Sequence, residues 1–291
     1  MPEGDVVWRT AHELHAALSG QTLTRSDFRV PRYATVDLAG RDVAETVSRG
    51  KHLLTRIDGG ITVHTHLRMD GSWRVRPLPG PAPVPRLDLG PATRAARARS
   101  RPAPGDHRIR LILENARWQA IGYLLGVVEV LRTGDEERVV GHLGPDLLGP
   151  DWDQAEAARR LTGDPDRPIG EALLDQRNLA GIGNLYRAEV LFVRGISPWR
   201  PVAGVPDLPG LVETARRMLE ANKSRPVQVT TGSRGRGEET WVYGRAGRPC
   251  RRCGDRVALA SLPGERPGQA RPGAGERIIF WCPSCQRLPD G

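Results

Sequence analysis

The four cysteines of this chain fall into two pairs, Cys250-x2-Cys253 and Cys282-x2-Cys285. Each pair lies on a tight knuckle that brings two thiolates to one point. Two such knuckles make a tetrahedral Zn²⁺ site in a reducing compartment, and two disulfides are the competing pairing. Four thiolates leave no open coordination position, so one structural zinc is expected. The spacer between the pairs, residues 254–281, holds 28 residues, more than the usual roughly 15–20. Its surplus is the Pro/Gly-rich run Pro263–Gly275, which reads as an enlarged hairpin tip. A second constellation is Gly181-Ile182-Gly183-Asn184, set between the apolar positions Leu173, Leu174 and Leu179 and the later Leu185, Val190 and Leu191. Two glycines permit close backbone approach, and Asn184 is placed to cap the second helix. That helix's N-terminus, with Arg187 beside it, is a seat for a phosphate. An ordinary helical hairpin with a glycine turn shows the same pattern. Third, Lys+Arg totals 43, yet only Lys51 and Lys223 are lysines. Arginine suits bidentate phosphate contacts, whereas lysine can tune its proton affinity.

The elements that must position these groups are readable from periodicity. Val7, Ala11, Leu14 and Leu18 recur at helical spacing after Pro2, and Gly20 stops the run. Strands are expected at Val36–Leu38, His52–Ile57, 60–66, 108–114, Trp118–Ile121 and Val127–Leu131. Residues 77–105, rich in Pro, Ala and Arg without an apolar period, read as a disordered insertion. Two Gly-Pro turns at 141–153 suit a linker. Helices are expected at 153–161, 168–177, 184–193 and 207–221. Domains are therefore expected at 1–135, with a linker at 136–150, then 151–238, then a zinc finger at 239–291. The net charge of +9 and pI near 10.2 suit a polyanionic partner such as nucleic acid, and an anionic membrane or bare solubility explains them too. With 38% hydrophobic residues the chain is globular. No apolar run is long enough to span a bilayer and no secretory leader is visible, so a cytoplasmic, nucleoid-associated protein is expected.

Four features then occur in order: Met1-Pro2-Glu3-Gly4, Gly50-Lys51 before an apolar strand, Asp175-Gln176 with Gly181-x-Gly183-Asn184, and Val242-Tyr243-Gly244-Arg245 leading into the cysteines. Together they resemble the formamidopyrimidine-DNA glycosylase/endonuclease VIII family. The Pro-Glu-Gly-Asp start is similar to the endonuclease VIII branch, specifically its actinobacterial members. The likeness covers nearly the whole chain except 77–105 and the finger tip. It implies an α+β fold: an N-terminal β-sandwich flanked by helices, then a helical helix-two-turns-helix domain with a four-cysteine zinc finger.

The resemblance also implies chemistry. Removal of Met1 frees the secondary amine of Pro2, whose ordinary pKa lies near 8. Attack on the sugar C1′ expels the base and leaves an iminium, an electron sink for β- and then δ-elimination. Glu3 is the general acid for the sugar ring oxygen, and Lys51 holds a phosphate and assists proton transfer. The base must leave the stack, and the hole must be filled. The loop His66–Gly71 supplies Met69 as the wedge and Arg68 toward the opposite base. Gly183, Asn184 and Arg277 are expected to contact DNA. Read alone, Pro2 is a helix-start proline, Glu3 a first-turn acid and Arg277 a solvated charge. The expected function is a bifunctional glycosylase/lyase for oxidised bases, pyrimidines foremost, acting as a monomer on damaged DNA. The alternative is a non-catalytic nucleic-acid-binding protein that keeps the turn and the finger.

Overall fold

The computed structural model describes residues 2–78, 106–233, 235–262 and 277–287, Arg277 through its backbone alone. The chain divides into two compact units. One comprises Met1–Pro2, Thr10–Val47 and His52–Glu136; the other comprises Glu3–Arg9, Ser48–Lys51 and Glu137–Gly291. Two short stretches from the first fifth of the sequence, which carry Glu3 and Lys51, thus belong with the C-terminal half.

Helix α1 (Gly4–Leu18), whose residues up to Arg9 belong to the second unit and the rest to the first, buries Val7, Ala11, Leu14 and Leu18, the positions marked by the sequence period. Gly20, at φ +69°, turns the chain out of it. Nine strands follow: β1 (Gln21–Thr22), β2 (Arg25–Phe28), β3 (Asp42–Arg49), β4 (His52–Ile57), β5 (Ile61–His66), β6 (Ser72–Pro77), β7 (Ile109–Glu114), β8 (Trp118–Tyr123) and β9 (Val127–Arg132). They form two antiparallel sheets, ordered β1-β3-β4-β5-β9 and β2-β7-β8-β6. Only Leu23 and Thr24 separate β1 from β2, so the chain crosses between sheets at that point. The α+β expectation holds. Three details differ from the sequence reading. Val36–Leu38 is not a strand: Ser26 Oγ accepts the Leu38 N–H and Asp37 the Ala39 N–H, which bends the segment into a turn. The short or polar strands β1, β2, β3 and β6 are not among the expected ones. Pro77 belongs to β6, opposite Trp118, rather than to the insertion; residues 79–105 lie outside the described ones.

The second unit holds α2 (Glu137–Val140), α3 (Gln154–Leu161), α4 (Ile169–Ala172), α5 (Asn184–Val193), α6 (Leu208–Asn222) and the hairpin β10 (Ala258–Leu262)/β11 (Arg277–Trp281). Asp153 and Asp207 cap α3 and α6 by accepting the N–H groups of Glu156 and Gly210. The Gly-Pro segment that reads as a linker is packed: Leu143, Asp146 and Leu147 are buried. Helix α4 is far shorter than expected. Asp175 accepts the Arg177 N–H, and this local turn ends the helical run. Helix α5 is enclosed on all sides. Leu185, Tyr186, Val190 and Leu191 face the helical core, while Ala188 and Phe192 pack on Val242, Val257, Leu262 and Ile279 of the finger. Among the described residues no helix is long and apolar enough to cross a membrane.

Candidate active site

The turn before α5 is built to receive a carboxylate. Gly4 N–H donates to Gly181 O at 2.8 Å, docking the start of α1 against the turn. A Cβ on Gly4 would lie 2.9 Å from Gly181 Cα, and one on Gly183 would lie 2.5 Å from Glu3 Cδ. Gly181 itself has φ +102°. Each glycine is therefore needed for a stated reason. The Glu3 carboxylate then accepts N–H groups from Gly183 (2.8 Å), Leu185 (2.7 Å) and Tyr186 (3.4 Å). Gln176 braces the turn, donating to Ile182 O and accepting from Gly181 N–H.

Three expectations are corrected here. Asn184 does not cap α5; Gly183 is the N-cap residue and makes no side-chain cap. The first-turn donors are not open to a phosphate, because Glu3, 180 and more residues earlier in the sequence, already occupies them. Asn184 is left half-exposed. Arg187 does not face a phosphate either. It is fully buried and donates to the carbonyls of Gly170 and Ile278.

Glu3 is fully buried. Burial raises its proton affinity above the ordinary range; the Lys51 charge and the Leu185 N–H pull it back, and Asp5 pushes it up again. Lys51 follows Gly50, whose φ of +57° lets its N–H reach Asp146 Oδ2 at 2.7 Å. A Cβ on Gly50 would sit 2.9 Å from Ala180 Cβ. The structure thus joins Glu3, Lys51, Gly183 and Asn184 in one unit. Pro2, half-buried, immediately precedes Glu3 in the chain. Sequence reasoning missed Asp146, which carries no local pattern, and gave no role to Asp5, although it closes the Pro-Glu-Gly-Asp start.

In the first unit, Met69 is 63% exposed on the loop after β5. Arg68 has φ +56°, and its N–H donates to His66 Nδ1 at 2.9 Å. Leu124, also exposed, has φ +47°. Among the described residues these are the only non-glycine positions at positive φ. Arg68, Met69 and Leu124 line one open groove of about 760 Å³, together with Tyr33, Arg110 and Glu129. Two exposed apolar side chains, Met69 and Leu124, thus share a groove with two positive-φ positions, Arg68 and Leu124, a combination that suits a binding surface. Leu124 was not singled out from sequence, where it is one apolar residue among many.

The sulfur atoms of Cys250, Cys253, Cys282 and Cys285 lie within 4.8 Å of one another. Cys250 and Cys285 sulfurs are 3.9 Å apart, and those of Cys253 and Cys282 are 3.5 Å apart. Zn–S bonds of about 2.3 Å in a tetrahedron place sulfurs about 3.8 Å apart, so the donor set fits a metal ion. All four thiols are free in this arrangement, as ligands of one ion would be. Arg277 opens β11 opposite Leu262.

Comparison with known proteins now bears on this geometry. The formamidopyrimidine-DNA glycosylase N-terminal domain model matches residues 1–119, and the helix-two-turns-helix domain model of the same glycosylase matches 143–220. The chain is 54% identical to a probable endonuclease 8 2 of Streptomyces coelicolor, over 99% of this chain and 95% of that one. It belongs to the formamidopyrimidine-DNA glycosylase/endonuclease VIII family. It is also 48% identical to the DNA-(apurinic or apyrimidinic site) lyase Nei2 of Mycolicibacterium smegmatis, over 98% of this chain and 99% of that one. In fold it is similar to the Lactococcus lactis family member solved with abasic-site DNA (TM-score 0.71, 22% identity, 98% of this chain and 100% of that one).

Proposed function

We propose that this enzyme expels oxidised bases, pyrimidines foremost, from DNA through a covalent iminium on Pro2. Membership of the family makes it a DNA glycosylase with abasic-site lyase activity in base excision repair. The observation that carries the residue-level reading is the seat of Glu3. A fully buried carboxyl of raised proton affinity, fixed by backbone N–H groups next to Pro2, suits proton delivery. A protein that only bound DNA would gain nothing from it.

In this reading Met1 is removed and the neutral Pro2 amine attacks C1′. The C1′–N bond to the base breaks, and the base departs with the proton that the Pro2 amine gives up; Glu3 then gives its proton to the ring oxygen as the C1′–O4′ bond breaks, which opens the sugar and leaves the iminium. The iminium then withdraws electrons. Loss of a C2′ proton expels the 3′ phosphate, and a second elimination expels the 5′ phosphate. Lys51 holds a phosphate and carries protons in these steps. Met69, with Leu124 beside it in the groove, fills the space left by the flipped nucleotide, and Arg68 meets the opposite base. Asn184 and Arg277 contact the backbone phosphates, and Gly183 serves them indirectly by admitting Glu3. One structural Zn²⁺ on the four cysteines fixes the finger, and the protein acts as a monomer on the nucleoid.

The test is borohydride trapping. Enzyme, abasic-site DNA and borohydride should give a stable amine adduct on the N-terminal peptide. Blocking the amine with one extra N-terminal residue should abolish it. Trapping that survives the block but disappears in Lys51→Ala would make lysine the nucleophile.

A further inference from the structure

Glu3 and Asp5 lie two residues apart at the start of α1, and both are fully buried. Their partners differ in kind. Glu3 meets backbone N–H groups of the turn. Asp5 meets side chains: the Tyr186 hydroxyl donates to Oδ2 at 2.9 Å, and Gln228 Nε2 donates to Oδ1 at 2.9 Å and Oδ2 at 3.1 Å. Tyr186 joins the two acids, since its N–H reaches Glu3 while its hydroxyl reaches Asp5. Two carboxyls in one dry pocket resist ionising together, so one holds charge and the other a proton. Glu3 also accepts three hydrogen bonds, but from backbone amides, whereas Asp5 accepts from the Tyr186 phenol, a stronger donor, which favours the charge on Asp5.

We infer that Asp5 is a positioning residue for base excision: clamped by Tyr186 and Gln228, it holds the pocket's negative charge and leaves the transferable proton on Glu3. This rests on the reading of Glu3 as general acid. The groups facing Glu3 are Lys51, Asp5, Tyr186 and Tyr243; those facing Asp5 are Glu3, Tyr186 and Arg9. Burial raises the proton affinity of Asp5 as well, and the hydrogen bonds from Tyr186 and Gln228 and the Arg9 charge pull it back. Asp5 raises the proton affinity of Glu3, and burial together with Asp5 keeps the Tyr186 phenol protonated, hence a donor. The rival is a purely structural role, in which the Asp5 bonds only dock α1 against α5.

The experiment is single-turnover excision from thymine-glycol duplex DNA, as a function of pH, for wild type, Asp5→Asn and Tyr186→Phe. Excision needs protonated Glu3, so it has a basic limb. Asp5→Asn keeps the shape but removes the anion, and the limb should move to lower pH by about one unit, costing about tenfold above it. Tyr186→Phe weakens the clamp and should give a smaller shift in the same direction. Borohydride trapping on preformed abasic DNA bypasses base expulsion and should keep its wild-type pH dependence. A uniform loss of excision at every pH, with the limb unmoved, would overturn the inference. Should Asp5→Asn not fold, an unmoved limb in Tyr186→Phe overturns it alone. Failure of wild type to trap would instead defeat the Pro2 reading.

Discussion

The two ends of the turn between α4 and α5 each hold a carboxylate, and they hold it in opposite ways. At the first end, Asp175 takes hydrogen bonds from Arg167 (3.0 Å) and Arg177 (2.7 Å). Burial opposes its charge, but those two guanidinium groups outweigh burial and hold its proton affinity far below the usual carboxylate range. At the second end, Glu3 meets neutral amide N–H groups, with the Lys51 charge also acting on it, and burial wins. A guanidinium partner makes a permanently ionised acid that ties the turn together. Neutral donors in a dry pocket make an acid that remains close to protonation. The same short segment therefore supplies a structural acid and a chemical one, and the partner decides which is which.

The sharpest way to break that comparison is to remove each carboxylate in turn. Glu3→Gln should reduce base excision by about 10²–10⁴-fold, the usual worth of a placed general acid. It should leave trapping on preformed abasic DNA largely intact. Wild-type excision rates in this variant would sink the proposed role. Asp175→Asn should leave the excision step within a few-fold of wild type in the folded fraction.

A somewhat smaller effect is expected from geometry alone. Gly183→Ala places a Cβ where Glu3 Cδ now stands. The carboxyl must move by about 1 Å, and such a displacement costs on the order of 10²-fold. Gly134, with open space around its Cβ position and an ordinary φ, is the control, and Gly134→Ala should be silent. Equal excision by both alanine variants would mean that the position of Glu3 is not what the turn exists to fix.

How much of this was legible beforehand follows from how far each interaction reaches along the chain. Helix α5 and strand β4 lie where their periodicity puts them, because local pattern and burial agree. The cysteine pairs were readable because metal knuckles are local. The glycines at 181 and 183 were readable as a close approach, but not what approaches. The donors of α5 were expected to be open and are filled by a residue 180 positions earlier. Gln228 reaches Asp5 across 223 positions, and Asp146 reaches Gly50 across 96. No spacing rule encodes such pairs. Arg187 differs for a related reason: a charged residue on a helix is usually solvated, but here the carbonyls of Gly170 and of Ile278 in the finger take up its buried guanidinium.

The smallest effect is also the most discriminating, because the two acids should give pH slopes of opposite sign. Asp175 has a folded pKa below its unfolded value near 3.9. Its stabilisation is full above that value and is lost as pH falls through the folded pKa. Asp175→Asn should therefore cost about 2 kcal/mol at neutral pH, the scale of a hydrogen bond to a charged group. That is several degrees of Tm in a domain of this size. The gap should close in acid, below about pH 4. Glu3 has a folded pKa above its unfolded value near 4.3. Its contribution is full below that value and is lost as pH rises through the folded pKa. Glu3→Gln cannot ionise and escapes that loss, so its Tm should gain on wild type as pH rises, by a degree or two. Melting curves for the three proteins from acid to mildly basic pH decide the matter. Two difference curves that slope the same way would show that both carboxylates are plain structural acids, and that the guanidinium-versus-amide distinction does not separate their roles.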